Sequence, residues 1–193
     1  MIFFETIRIE GGVPHHLDYH QRRVDRTVAA HFPDTSPPRL ADHLAIPLPD
    51  NGIYRCRLLY DRKVREVALT PYRPRPVQTL RLLHADLRYD YKALERSAID
   101  ALFAERGDAD DILVVRDGLV TDTSIANIAF LQKGRWYTPQ TPLLPGTTRA
   151  RLLEAGRLTP RPILADELPR YEAFALLNAM IGFRIVKNGK IAP

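Results

Sequence analysis

Hydrophobic and polar positions alternate with the period of β-strands at three places in the first half of the chain. This alternation predicts strands over residues 2–9, 53–61 and 64–72, with a turn at Gly11-Gly12 after the first of them. Residues 17–30 instead space their apolar positions as a helix packed on a sheet would. A proline-rich connection and a short helix near 39–44 follow, so this half is predicted to be a small α+β lobe.

The stretch 73-RPRPVQ-78 has neither a helical nor a strand period, and it is predicted to be a linker between two lobes. The predicted domains are therefore residues 1–73 and 79–193. The elements predicted for the second lobe are a strand at 79–84, a helix at about 93–106, a strand at 111–116, an irregular segment after Gly118, a hairpin at 126–139, a helix after Pro145-Gly146, and C-terminal strands.

Length and composition bound the class of protein. A chain of 193 residues with 45% apolar content can form one core or two lobes of about 80–100 residues. The apolar run 173–183 is shorter than the roughly 20 residues of a membrane span, and the N-terminus carries acidic residues too early for a signal peptide. We therefore expect a cytoplasmic protein that does not bind membranes.

The charge and the single cysteine exclude further classes. The net charge of +5 comes from 28 Lys and Arg, mostly Arg, which are interleaved with acids instead of forming the basic stripe of a nucleic-acid binder. The arginine excess either reflects the proteome's general composition or surrounds a small anionic substrate. Cys56 cannot form an internal disulfide, and one cysteine cannot build a cysteine metal cage; no metal site is predicted.

Lys92 is the lysine that the sequence singles out by its position. The other four lysines lie at or beside predicted hairpin turns, where solvent keeps a lysine pKa near about 10.4. Lys92 lies between Tyr89-Asp90-Tyr91 and a predicted helix, a partly desolvated position that lowers the pKa of an amine and makes it reactive. The alternative is a surface lysine at the start of an amphipathic helix.

Three other segments could accompany such a lysine. The run 120-VTDTSIANIAF-130 is either a solvated loop or a polar site supported by a strand. In 142-PLLPGTTRARLLE-154, a glycine and two threonines open a helix, which is the geometry of a phosphate cradle as well as of an ordinary capped helix. The 20-HQRR-23 stretch supplies a cation, although an arginine on a helix is usually only solvated.

Taken in order, these motifs resemble a known family. The motifs are FFETIR, H-x-x-R on a helix, Lys-Ala-Leu-Glu-Arg, D-G-L-V-T-D-T-S-I-A-N-I-A-F, Y-T-P and L-L-P-G-T-T-R, and they are similar to those of the class IV aminotransferases. This pyridoxal-phosphate (PLP) fold-type IV family includes branched-chain and D-amino-acid aminotransferases and aminodeoxychorismate lyase. The resemblance implies a two-lobed D-amino-acid-aminotransferase-like fold, with a small N-terminal lobe and a larger C-terminal lobe that has a mixed β-barrel-like sheet and carries the Schiff-base lysine.

The resemblance also implies a pyridoxal 5'-phosphate cofactor and a set of site residues. Lys92 is implied to be the catalytic Schiff-base lysine, and Arg23 is implied to hold the phosphate together with Thr147 and Thr148. The family glutamate that pairs with the pyridine nitrogen is replaced here by Asp122, which is one methylene shorter. Asn127 is implied to be structural or to lie near the phosphate. Family members usually begin about 25–30 residues earlier, so part of the usual substrate wall is expected to be absent or supplied by a partner subunit.

The segment 176-LLNAMIGFRIV-186 bears on the choice of reaction within the family. It resembles the N-A-L/M segment of aminodeoxychorismate lyase, with Asn178 and Ala179 as implied cofactor contacts, although a plain buried strand remains an alternative. The resemblance therefore favours a lyase that forms 4-aminobenzoate and pyruvate in folate biosynthesis. The alternatives are a class IV aminotransferase acting on branched-chain or D-amino acids and a cofactor-free relative that acts as a binding protein.

The favoured reaction sets expectations for the partners of this chain. Its substrate is dianionic, which would suit the arginine excess, and Arg55, Arg57 and Arg88 are the unranked candidates for carboxylate binding. Family members are generally homodimers, and a homodimer is therefore expected here. No nucleic-acid partner is expected.

Overall fold

The computed structural model describes all residues from Met1 to Pro193, and the chain divides into two compact units. Unit 1 comprises residues 1–74 and 91–95, and unit 2 comprises residues 75–90 and 96–193. The lysine segment therefore lies with the N-terminal unit, whereas the sequence placed it in the C-terminal lobe. The reason is backbone pairing: the Phe4 amide donates to the Lys92 carbonyl (3.0 Å), and the Leu94 amide donates to the Ile2 carbonyl (2.8 Å).

Unit 1 is a four-stranded antiparallel sheet with two helices. Its elements are β1 (Phe3–Glu10), β2 (Val13–Pro14), α1 (Leu17–His31), α2 (Leu40–His43), β3 (Ile53–Tyr60) and β4 (Val64–Pro71). The strand order is β2-β1-β3-β4. These bounds agree closely with the strands and helices that the sequence pattern predicts for this half.

The core of unit 1 follows from the alternation along β1. Phe3, Ile7 and Ile9 are fully buried and pack against Val24 and Val28 of α1. Because side chains alternate across a strand, Glu5 must point to the same buried face, and it is also fully buried. The opposite face of β1, which carries Phe4, is not the face on which α1 packs.

Unit 2 is built mainly of strands. Its elements are β5 (Thr79–His84), α3 (Ser97–Ala104), β6 (Asp111–Arg116), β7 (Leu119–Thr123), β8 (Asn127–Gln132), β9 (Arg135–Pro139), α4 (Thr147–Glu154), β10 (Thr159–Arg161), a 3₁₀ helix (Ala165–Arg170), β11 (Ala173–Asn178), β12 (Gly182–Val186) and β13 (Lys190–Ala192).

These strands form one nine-stranded mixed sheet, in agreement with the predicted α+β class and mixed sheet. Its main path is β10-β9-β8-β7-β6-β5-β13, with β11 pairing to β8 and β12 to β11. The pairs β5–β6, β5–β13 and β9–β10 are parallel, and the other pairs are antiparallel. None of the helices is a candidate for a membrane span.

Both faces of this sheet are covered, which explains its continuous apolar strands. On β6, Leu113 and Val115 belong to the largest core cluster, whereas Ile112 and Val114 pack with Ile99 of α3. Leu152 of α4 packs against neighbouring strands in a separate cluster. The helix that opens with Thr147 is thereby fixed on the sheet.

Two predicted elements differ from the structure. The helix predicted from residue 93 begins at Ser97, because Ala93 bridges to Phe3 of β1 and the Leu94 amide donates to the Ile2 carbonyl instead of to a helix. The irregular segment after Gly118 is instead β7, which pairs with β6 across the Asp117-Gly118 turn. In both places pairing with a distant or neighbouring strand overrides the local pattern.

Candidate active site

In unit 1, Lys92 is held on the face of β1 that α1 does not cover. Its backbone carbonyl accepts from the Phe4 amide, and its half-buried side chain places Nζ 4.5 Å from the centre of the Phe4 ring. A cation over an aromatic face is stabilised by the negative potential of the ring. The segment therefore presents an amine from a backbone that is hydrogen-bonded to β1 instead of from the first turn of a helix.

Arg23 of α1 lies in a buried ionic cluster in the same unit. Its Nε donates to Glu5 Oε1 (2.8 Å), and its Nη2 donates to Glu5 Oε2 (2.5 Å). His20 Nδ1 lies 2.5 Å from the same Oε2, and all three side chains are buried. The fork of bonds fixes the plane of the guanidinium, so Arg23 is a rigid cation and not a solvated one.

The cluster has a clear electrostatic signature. Burial alone raises the pKa of Glu5, but the charge of Arg23 and the hydrogen bonds from His20 and Arg23 outweigh it and hold this pKa at about 2. Glu5 was not among the predicted site residues. Its position could have been found from the sequence, because an acid on the buried parity of an otherwise apolar strand requires a cationic partner.

In unit 2, Asp122 and Asn127 tie β7 and β8 to the loop that precedes α4. Asn127 Nδ2 donates to Asp122 Oδ1 (2.8 Å) and to the Leu144 carbonyl (2.8 Å), and the Leu144 amide donates to Asp122 Oδ2 (2.9 Å). Asn127 thus has the structural role that was one of its two predicted alternatives. Burial raises the pKa of Asp122 to about 6, against the hydrogen bonds from Asn127 and Leu144 and the charge of Arg149.

The start of α4 has the features of an anion cradle. Gly146 is the N-cap residue, and no side chain caps the first turn, which opens with the buried Thr147 and Thr148. Amides of a first helical turn have no partner within the helix and favour a negative charge. Arg149, in the same turn, donates instead to the Pro139 carbonyl (2.7 Å), so its guanidinium is bound to β9.

Gly146 is required at this position by space and not by backbone conformation. A Cβ placed there would lie 2.0 Å from Asn127 Oδ1 and 3.2 Å from Asn127 Cγ. The side chain of Asn127 therefore packs directly on the glycine. Sequence alone indicates a glycine in a loop, but only the fold shows that any larger residue would have to displace Asn127.

Replacing Gly146 with alanine is expected to displace Asn127 and break its bonds to Asp122 and Leu144. Each buried polar group left without its partner costs about 1–3 kcal/mol. Urea unfolding should show a loss of stability of this size. The control is the same substitution in an Asn127→Ala background, where the clash is gone; equal costs in both backgrounds would contradict this account.

Asn178 closes the turn between β11 and β12. Its Oδ1 accepts from the Met180 amide (2.9 Å) and the Ile181 amide (3.0 Å), and its Nδ2 lies 3.4 Å from the Ile125 carbonyl. Ala179 is the next residue of this turn. The segment is therefore a hairpin turn and not an uninterrupted buried strand, and contact of these two residues with a cofactor stays a prediction.

The chain matches a known protein family over nearly its whole length. A family model described as amino-transferase class IV matches residues 2–188, nearly the whole chain. The chain belongs to the class IV aminotransferase family. Its members are PLP-dependent enzymes, so the predicted family and enzyme class are confirmed.

Three relatives of this class IV aminotransferase chain are informative. A Haemophilus influenzae protein without an established function is 34% identical over 183 residues, which are 93% of this chain and 97% of the relative. A Haemophilus somnus 129PT crystal structure, named as a proposed 4-amino-4-deoxychorismate lyase, is 35% identical with a TM-score of 0.85, covering 94% and 97% of the two chains. A Schizosaccharomyces pombe protein, named as a proposed aminodeoxychorismate lyase, is 37% identical over 104 residues, 51% of this chain and 44% of its own.

The residues of this class IV aminotransferase chain fit the family's cofactor. Unit 2 offers the uncapped first turn of α4 with two threonines, which suits a phosphate, and a buried acid at Asp122, which suits a pyridine nitrogen. Unit 1 offers the amine of Lys92 and the fixed cation of Arg23. The predicted site residues are thus divided between the two units, with Lys92 and Arg23 in the first and the others in the second.

Proposed function

We propose that this chain is a PLP-dependent lyase that converts 4-amino-4-deoxychorismate to 4-aminobenzoate and pyruvate, a step of folate biosynthesis. The observation that carries the proposal is the 35% identity, over 94% of this chain, to the Haemophilus somnus protein named for this reaction. The Schizosaccharomyces pombe protein is an independent relative named for the same reaction. The N-A-M sequence at residues 178–180 supports the same choice.

The proposed reaction is balanced without an added oxidant or amino acceptor. A proton leaves ring carbon C4, the bond between C3 and the enolpyruvyl oxygen breaks, and a proton returned to the enolpyruvyl carbon gives pyruvate. The ring becomes aromatic, which supplies much of the driving force. When bound, PLP supplies the sink for the electron pair left at C4.

The side chains of this chain have separate parts in the proposed reaction. Lys92, whose amine stands over Phe4, forms the covalent attachment and carries the C4 proton. The first turn of α4, with Thr147 and Thr148, binds the phosphate. The Asp122 carboxylate, with a pKa of about 6, is largely ionised at neutral pH and can keep a pyridine nitrogen protonated.

The direct test supplies 4-amino-4-deoxychorismate to the PLP-loaded protein in the absence of any 2-oxo acid. We expect equal amounts of 4-aminobenzoate, measured by its fluorescence, and pyruvate, measured by coupled reduction to lactate. The same protein is then given branched-chain or D-amino acids with 2-oxoglutarate. Amino transfer without 4-aminobenzoate formation would identify an aminotransferase, and failure to take up PLP at all would identify a cofactor-free binding protein.

A further inference from the structure

The open face of the unit 1 sheet gathers positive charge beside Lys92. Direct cross-strand partners have side chains on the same face, and the register pairs Phe4 with Leu59, Thr6 with Arg57 and Arg8 with Arg55. These residues have the opposite parity to Phe3, Ile7 and Ile9, which face α1. Two arginines of β3 therefore lie on the face to which Lys92 is attached.

Arg57 is the arginine of this face that shares an aromatic ring with Lys92. Its Cζ lies 5.1 Å from the centre of the Phe4 ring, and Lys92 Nζ lies 4.5 Å from the same centre. Phe4 itself is 7% exposed, so its ring is a fixed floor and not a mobile surface group. The Lys92 amine and the Arg57 guanidinium therefore both contact the same fixed ring.

The guanidinium of Arg57 has no acidic partner in the structure. It forms neither an ion pair nor a hydrogen bond, whereas Arg8 on the neighbouring strand is paired with Glu10 at 2.8 Å. Glu66 of β4, opposite Leu59 on the same face, forms no ion pair with it either. A guanidinium without an acidic partner is available to pair with the carboxylate of a bound ligand.

We propose that Arg57 is the specificity-determining residue that binds a carboxylate of the substrate whose amine reacts at Lys92. This proposal rests on the proposed function in so far as Lys92 is the reactive amine. A guanidinium matches a carboxylate with two parallel hydrogen bonds, which a lysine cannot reproduce. Among the three arginines that the sequence left unranked, the shared Phe4 ring selects Arg57 over Arg55 and Arg88.

The test compares two ligands that differ only in a carboxylate, 4-aminobenzoate and aniline, by calorimetric titration of the PLP-loaded protein. Wild type should bind 4-aminobenzoate about 10- to 100-fold more tightly than aniline, since a charge-assisted hydrogen-bonded pair accounts for such a ratio. Arg57→Gln should remove most of this preference, and Arg57→Lys should keep part of it. The visible absorbance of the bound cofactor should be unchanged in both variants, which separates a lost anion site from a damaged fold.

Arg62→Gln is the matched control, because Arg62 also stacks on a phenylalanine of unit 1. Its Cζ lies 4.9 Å from the Phe32 ring, which belongs to the core beneath α1 and not to the Lys92 face. This variant loses the same charge and should keep the full preference for 4-aminobenzoate.

The binding measurements test the role of Arg57 independently of whether the protein catalyses the proposed lyase reaction. Wild-type protein with no preference for 4-aminobenzoate, or an Arg57→Gln variant that keeps it, overturns the role of Arg57. A variant that loses the preference supports it, even if the wild type forms no 4-aminobenzoate and the proposed lyase reaction fails. Loss of the preference in Arg55→Gln but not in Arg57→Gln would assign the carboxylate to the neighbouring arginine and overturn the proposal.

Discussion

Lys92→Ala is expected to abolish turnover and covalent attachment of the cofactor. The substitution removes the amine that stands over Phe4, and with it both the nucleophile and the group that carries the substrate proton. Proton transfer by a positioned side chain alone contributes about 10²–10⁴-fold to a rate, so the loss should be at least of this order. Borohydride reduction followed by peptide mass spectrometry should find the cofactor on Lys92 in wild type and on no lysine in the variant.

Two control variants test whether the loss of activity is specific to the amine of Lys92. Lys92→Arg keeps a cation over Phe4 but has no amine that can release a proton near neutral pH, so it should fold normally and be equally inactive. Lys63→Ala removes an exposed lysine from the turn between β3 and β4 and should leave turnover unchanged. Persistent activity in Lys92→Arg would contradict the assignment of Lys92 as the reactive amine.

Glu5→Gln is expected to cause a large loss of stability in unit 1. The change leaves the buried Arg23 without its charged partner and places an amide group against the donors of Arg23 and His20. Breaking one side of a buried ion pair costs about 3–5 kcal/mol. Guanidinium unfolding at neutral pH should show this loss, and PLP should bind more weakly because Arg23 is no longer oriented.

The lowered pKa of Glu5 also predicts how the free energy of unfolding depends on pH. The pKa of Glu5 falls from its ordinary value of 4.5 to about 2 on folding, so the folded state binds the proton less tightly than the unfolded state. Its contribution is therefore complete above about pH 4.5 and is lost as the pH falls towards 2. The part lost is roughly 3 kcal/mol, and Glu5→Gln should lack this component of the acid transition.

Glu10→Gln is the matched control for both measurements, because Glu10 lies on the same strand and is also bonded by an arginine fork. Arg8 donates to Glu10 Oε2 from Nε (3.1 Å) and Nη2 (2.8 Å), but this pair is partly exposed. Exposed pairs contribute about 0–1 kcal/mol. If Glu5→Gln costs no more than Glu10→Gln, the buried cluster does not stabilise unit 1 as described.

The prediction of elements from sequence succeeded where the pattern was local. Periodicity predicted the bounds of β1, α1, β3 and β5 to within one or two residues. Each of these elements has one buried face, so its apolar residues recur with the period of a strand or a helix. It failed at the start of α3, because residues 91–95 pair with β1, which is far away along the chain. It also failed at β7, because the buried Asp122 of this strand is satisfied by hydrogen bonds from Asn127 of β8 and from Leu144 in the loop before α4.

The prediction of the site was similarly divided. Lys92 stands out by elimination among five lysines, and the P-G-T-T sequence indicates an anion cradle by its composition. The partner of Arg23 was missed, although the parity of Glu5 in IFFETIRI gives the signal for it. The contact between Gly146 and Asn127 could not be predicted, because it joins positions nineteen residues apart that no local pattern relates.

The sequence by itself determined the family and the α+β class of this protein and singled out its candidate site residues, because ordered motifs and apolar periodicity are properties of the chain. Only the tertiary structure decided that Lys92 is anchored to β1 and not to a helix, and that Glu5 orients Arg23. It also decided that Arg57, and not Arg55 or Arg88, shares the Phe4 ring with Lys92. Those decisions depend on strand register and packing between distant segments, which arise only when the chain is folded.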